Sequence, residues 1–331
     1  MSQLRLALVN SMPDPAFLAT ERQFCALLRA AADLRPGTVL QVELYTMEGI
    51  PRSPEVRAEI ALRYADLDVL WQSAPDAVIL TGTEPAGPTL EAEIFWPELA
   101  LLVDWSVSST RSLLCSCLAA HAACTSLLGL ERRPLARKCS GVIENDVVDA
   151  THPLVAGLPS PTHVPHSRLN DVSRRALEAS RLQPLLAREN LWSLAAGELD
   201  GCLVVLAQGH PEYSPGSLLR EFERDLARYR RGERADPPLV PVGYLSAEGA
   251  ALAASCVAVA ERDRHSTSTG GWFPAEALRA EVTDTWRAPA ARLYANWLKE
   301  LERRVPPLRR GGRARRSHHP TMRVGSSAGA G

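Results

Sequence analysis

The residues that could do chemistry gather at two junctions. In Ser112-Leu-Leu-Cys-Ser-Cys-Leu-Ala-Ala-His-Ala-Ala-Cys124 an apolar run gives way to an Ala-rich stretch, with Cys117 at the turn between them. A helix N-terminus favours a thiolate and can hold an oxyanion formed on an acyl group, because its first N–H groups have no helical partner. That is the setting of a nucleophile. A thiolate nucleophile also needs a base, and the base needs a group to orient it. Gly209-His-Pro-Glu-Tyr213 supplies both, since His210 and Glu212 are two apart and an extended chain through Pro211 turns them to one face. A free cysteine alone reads more simply as a small buried hydrophobe. It is the joint occurrence, each after an apolar run, that favours a Cys117, His210, Glu212 relay.

These groups must be carried by regular elements. Short runs rich in Val, Leu and Ile recur at LRLALVN, VLQVELYTM (39–47), DAVILTG (76–82), SLLCS (112–116) and GCLVVLAQ (201–208). Between them lie helix-like segments at 20–32, 53–65, 91–103 and 118–128. Alternating strand and helix predicts an α/β fold, a three-layer, doubly wound, mostly parallel sheet. In such sheets reactive groups collect at the carboxyl ends of strands. Cys117 and His210 both fall there.

Composition narrows the class. The chain has 331 residues, 46% hydrophobic and 23% charged, with a net charge of −1, which describes a globular protein able to bury a core without disulfides or metal. The seven cysteines are scattered, with no CxxC and no zinc-finger spacing, so no metal site is expected. No signal-like or membrane-length apolar run is present, and reduced thiols in the cytoplasm are expected. Only two lysines occur, Lys138 and Lys299, among 37 basic residues, so a surviving lysine stands out. From Arg309 onward the chain carries six Arg and no acid. That tail, 306–331, lacks aromatic residues to stack on bases and is expected to be disordered rather than to bind nucleic acid. The expected plan is one catalytic domain over 1–305, with an inserted Ala-rich helix at 246–262, and then the tail.

At these residues the chain resembles the homoserine O-acyltransferases of methionine biosynthesis, the family commonly labelled homoserine O-succinyltransferase. The resemblance runs in order through Asn10-Ser-Met-Pro13, Thr20-Glu-Arg-Gln23, Thr81-Gly82, Cys117-Leu-Ala-Ala-His-Ala122, Lys138-Cys-Ser-Gly-Val142, Pro165-His-Ser-Arg168, Gly209-His-Pro-Glu-Tyr213 and Glu221-Phe-Glu-Arg-Asp225. It extends to Trp286-Arg287 and Asn296-Trp-Leu298.

The resemblance implies a class I glutamine amidotransferase-like, or flavodoxin-like, fold and ping-pong transfer from an acyl-CoA co-substrate to homoserine, with no bound cofactor. Cys117 would carry the acyl group as a thioester, His210 would be the base and Glu212 its orienter. Lys138 and Ser167 match substrate-contacting positions. Arg224 matches the arginine that would clamp the acceptor's carboxylate. Ala86 falls where a small residue goes with succinyl transfer and Glu with acetyl transfer, so succinyl-CoA is the expected donor, with acetyl-CoA as the alternative donor and serine as the alternative acceptor. The family's Trp, Gly and Gln after the nucleophile are Leu118, Ala119 and His121 in this chain, and Asp14-Pro15-Ala16 replaces its lysine near the first strand end. The expected partners are small molecules, and a homodimer is one assembly the sequence allows. Two other classes share parts of the pattern: a glutamine amidotransferase-type cysteine hydrolase, and a scaffold that kept the fold without the activity. His121 divides evenly between facing the acyl pocket and packing on the sheet, whereas His166 is expected to shape the substrate pocket.

Overall fold

The computed structural model describes residues 2–87, 89–265 and 271–304, together with the backbone of 322–324. The first half alternates strand and helix: β1 (Ser2–Val9), α1 (Asp14–Asp33), β2 (Thr38–Tyr45), α2 (Pro54–Arg63), α3 (Leu67–Gln72), β3 (Ala77–Leu80), α4 (Trp96–Ser109), β4 (Ser112–Ser116) and α5 (Leu118–Leu128). Then come β5 (Arg132–Val147), β6 (Thr162–Val172), α6 (Arg174–Glu178), β7 (Gln183–Arg188), β8 (Leu191–Leu199) and β9 (Cys202–Ala207). The described chain continues through α7 (Ser217–Arg230), α8 (Ala247–Arg262), α9 (Ala275–Ala280), α10 (Arg287–Arg303) and β10 (Met322–Val324).

The strands form one sheet in the order β10-β2-β1-β3-β4-β9-β8-β7-β5-β6. β2, β1, β3, β4 and β9 are mutually parallel, the doubly wound arrangement expected from the apolar runs. The sheet as a whole is mixed, because β9, β8, β7, β5 and β6 pair antiparallel in succession. β10 adds an antiparallel edge to β2, so three residues of the tail expected to be disordered have strand backbone. The rest of 306–331 lies outside the described residues.

Side-chain alternation along the central strands builds the three layers. Leu4, Leu6 and Leu8 of β1 pack with Phe17, Phe24 and Leu28 of α1 and with Tyr294, Trp297 and Leu298 of α10. Ala7 and Val9 of the same strand join Leu99, Leu102 and Val103 of α4 and the alanines of α5 on the opposite face. A third cluster unites Leu218, Phe222 and Leu226 of α7 with Ala253, Cys256 and Ala260 of α8, Leu278 of α9 and Trp286. The helix expected at 246–262 is α8, whose start is fixed by Ser246 Oγ accepting the Gly249 N–H at 3.0 Å. α1 starts earlier than the helix expected at 20–32, since Asp14-Pro15 opens its first turn. α4 starts later than expected, at Trp96, because 91–95 form turns.

β4 and β9 lie side by side with Ser116 opposite Ala207, so their carboxyl ends present the next residues to one another. That adjacency positions the site.

Candidate active site

Cys117 is the residue between β4 and α5, and its backbone adopts φ 52° and ψ −112°. This is a costly conformation for a residue with a Cβ, held here because both flanks are pinned. Its N–H donates to Ala207 O at 2.7 Å, continuing the β4–β9 ladder, while its carbonyl accepts the first intrahelical bond, from His121 N–H at 3.2 Å. The amides of Leu118, Ala119 and Ala120 therefore precede any helical acceptor and point out of the first turn. Gly82, at the end of β3, is packed so close that a Cβ there would lie 3.3 Å from Leu118 N and 3.4 Å from Cys117 Cβ. A glycine at this point lets a second backbone approach the elbow.

His210 follows β9 and is seated by β6: its N–H donates to Pro165 O at 2.7 Å. Gly209 is required beside it, since a Cβ there would fall 2.4 Å from Val164 Cγ1 and 2.7 Å from Pro165 O. The chain does not stay extended through Pro211, as the spacing suggested. It turns, with Tyr213 N–H donating to His210 O at 3.1 Å, because proline presets the φ of an early turn position. The turn still brings His210 Nδ1 and Glu212 Oε1 to 2.8 Å, both residues being buried.

Burial alone would lower the pKa of His210, but the Cys117 and Glu212 charges and hydrogen bonds to both side chains hold it well above its ordinary value. Cys117, His210 and Glu212 therefore come together as the candidate relay. The Tyr213 ring stacks on the imidazole, with centroids 4.2 Å apart and planes at 17°.

A second group adjoins this one. Lys138 Nζ lies 3.2 Å from Glu221 Oε2 and 2.8 Å from Asp225 Oδ2, the two acids being one turn apart on α7. Ser167 of β6 donates to Glu221 Oε2, and Tyr213 donates its hydroxyl to Glu221 Oε1 at 2.5 Å. Burial would raise the Glu221 carboxyl, yet Lys138, both hydroxyls and His210 hold it below the usual range. Arg224 Nε and Nη2 each donate to Asp225 Oδ1 at 3.2 Å, and its guanidinium remains half exposed. Glu84, in the loop after β3, is within electrostatic reach of Arg224, so that loop faces α7. Ala86 lies exposed on the same loop. A cavity of about 380 Å³ borders Lys138 and Asp225 and is also lined by Arg234, Phe222 and Leu239.

The structure thus brings Lys138, Ser167 and Arg224 into one cluster beside the relay. Glu221, at its centre, was quoted in a motif but given no role. The available signal was two acids four apart on a helix that also carries Arg224. His121 turns inward: its Nε2 bonds Gln208 Oε1 at 2.8 Å, and burial pushes its pKa down to about 3. It packs on the sheet and ties α5 to the end of β9. His166 is likewise buried, with Arg168 Nε donating to its Nδ1 at 3.3 Å and its Nε2 donating to Ser193 Oγ at 2.8 Å. It supports the strand that seats His210. Among the described residues no group of three or more His, Cys, Asp or Glu is placed to hold a metal ion, and no helix is long and apolar enough to cross a membrane.

Comparison with known proteins gives a consistent family. A protein named homoserine O-succinyltransferase from Rhodopseudomonas palustris is 40% identical over 300 residues, covering 90% of this chain and 88% of the relative. One of the same name from Cardiobacterium hominis is 38% identical over 296 residues, covering 89% and 82%. A solved glutamine amidotransferase from Methylobacillus flagellatus superposes with a TM-score of 0.50 at 14% identity, covering 96% of this chain and all of that one, a likeness of fold alone. The profile of the homoserine O-succinyltransferase family matches residues 1–306. Profile and relatives agree: the chain belongs to the homoserine O-succinyltransferase family, acyltransferases of methionine biosynthesis.

Proposed function

We propose that this protein transfers the succinyl group of succinyl-CoA to the hydroxyl of L-homoserine through a thioester on Cys117. The thiolate of Cys117, paired with the His210 imidazolium, attacks the thioester carbonyl. The Leu118 N–H at the elbow, with the Gly82 backbone beside it, receives the developing oxyanion. The carbon–sulfur bond to CoA breaks, and the departing thiolate takes the proton from His210. Homoserine then enters. His210, held by Glu212, accepts the hydroxyl proton as the oxygen attacks the acyl-enzyme, and collapse releases the ester and returns the Cys117 thiolate.

The cluster on α7 suits an amino-acid acceptor. Arg224 offers a fork to the α-carboxylate, and Glu221 offers a carboxylate to the α-ammonium, with Lys138 and Ser167 setting its orientation. Ala86 leaves room at the loop for an acyl group longer than acetyl. Residues 1–305 act as one catalytic unit, with α8 as an inserted helix.

The observation that carries this reading is the junction at Tyr213, whose ring stacks on His210 while its hydroxyl bonds Glu221. It supports the reading by joining the charge cluster on α7 to the Cys117, His210 and Glu212 group. Mixing the protein with succinyl-CoA and measuring its intact mass tests the reading. A single succinyl adduct, absent from Cys117→Ala and discharged by homoserine, is expected. Glutamine cleavage to glutamate without consumption of acyl-CoA would sink it.

A further inference from the structure

One cation beside the nucleophile belongs to neither group. Arg132 opens β5 opposite Val172 of β6. The Val172 N–H reaches Gln208 Oε1 at 3.5 Å, and that same oxygen takes His121 Nε2, so the strand partner of Arg132 is tied to the first turn of α5. Its guanidinium is within electrostatic reach of Cys117 and of Glu93. Glu93 is buried and accepts the Gly87 N–H at 2.6 Å, which ties down the loop that carries Ala86. Arg132 is therefore within electrostatic reach of both the elbow and that loop.

Its own side chain is not spoken for. Among the described residues it makes no hydrogen bond or ion pair, and its Nε is buried without a partner. Burial weakens its hold on its proton, though the charges of Cys117 and Glu93 partly restore it. A half-buried, unpaired guanidinium is costly unless an anion meets it. Its planar fork matches a carboxylate. The other arginines of the site do not share this state, since Arg168 bonds His166 and Asn170, and Arg224 bonds Asp225.

We propose that Arg132 is the anchor for the free carboxylate of a dicarboxylic acyl group carried on Cys117, and so selects the donor by charge as well as by length. This rests on the acyl-transfer reading and adds to it the residue that recognises the acid. An acetyl group has no carboxylate to offer and leaves the guanidinium unpaired. A succinyl group extends its carboxylate from the thioester, and binding would replace water lost from Arg132 with a charged hydrogen-bond pair.

The test compares succinyl-CoA with its methyl ester on the terminal carboxylate, which has nearly the same chain without the charge, using homoserine as acceptor and CoA release as the signal. In the unaltered protein, kcat/KM for succinyl-CoA should exceed that for the ester by roughly ten-fold or more, the size of a charged hydrogen bond. Arg132→Met should bring that ratio close to one, and Arg132→Lys should restore part of it. Equal use of acid and ester by the unaltered protein overturns the inference without need of any variant. A ratio unchanged in a folded Arg132→Met overturns it as well, since Arg132 would then act on both donors alike. If the unaltered protein consumes no acyl-CoA with homoserine, the acyl-transfer reading itself fails and takes the inference with it.

Discussion

The proposed relay and the proposed acceptor cluster touch at Tyr213 but are built in opposite ways. Cys117 and His210 extend two adjacent parallel strands, and each is pinned by a backbone bond, to Ala207 O and Pro165 O, both of 2.7 Å. Lys138, Ser167, Glu221 and Arg224 come from an antiparallel hairpin and a helix, and they are held mainly by one another's charges. A backbone-pinned relay has one geometry before and after substrate arrives. A self-paired charge cluster can exchange its internal partners for those of a zwitterion. The difference predicts that relay changes act on turnover and cluster changes act on acceptor binding.

Removing the proposed nucleophile should give the largest effect. Cys117→Ala is expected to lower kcat by roughly four orders of magnitude or more, with the fold kept, as measured by CoA release and thermal unfolding. Cys117→Gly should be equally inactive yet more stable than Cys117→Ala by about 1 kcal/mol, because glycine relieves the strained backbone at φ 52°. Equal stability of the two would show that the elbow stores no strain.

Glu212→Gln should follow, lowering kcat about a hundred-fold. Its sign with pH is fixed by His210, whose raised pKa depends in part on the Glu212 charge. Without that charge the imidazolium loses its proton at lower pH, so the alkaline limb of kcat/KM should move down. An unmoved limb would show that Cys117 alone sustains the imidazolium.

On the cluster side, Glu221→Gln should raise KM for the acceptor by roughly ten- to a hundred-fold while changing kcat for acyl-enzyme formation little. Single-turnover acylation and acceptor titration separate the two. A loss in acylation as large as the loss in acceptor binding would erase the distinction between the regions.

The two regions were also unequally legible. The apolar runs at β4 and β9 are buried on both faces, so a continuous hydrophobic run marked each strand, and the β4–α5 junction fell where the sequence placed it. β5 is different. It is half exposed, mixes Arg, Pro and Lys with apolar residues, and shifts register between Pro134 and Cys139, so its strand period is broken. β5 was therefore invisible to periodicity. Lys138 stood out because lysine is scarce in this chain, whereas Arg132 was hidden by the abundance of arginine, and its half-buried, unpartnered side chain within reach of Cys117 is what distinguishes it. The turn at Pro211 was misjudged because proline suits both extended chain and turns.

The smallest expected effect tests why the relay side is rigid. His121 stands where the resemblance implied a glutamine and bonds Gln208 Oε1, joining the elbow helix to the strand end that leads to His210. Its folded pKa, about 3, lies far below the ordinary 6.5, because burial disfavours the charged ring. The unfolded chain therefore binds the extra proton first, and His121 costs stability as pH falls from about 6.5 toward 3, reaching about 3 kcal/mol at pH 4.5. Glutamine at this position can donate to the same amide oxygen and carries no titrating group. His121→Gln should match the parent protein at pH 8 and unfold less readily than it below pH 6, as thermal melts across that range would record. Equal acid sensitivity in the two would mean that His121 takes up its proton while folded, and that the link from α5 to β9 does not depend on a neutral ring.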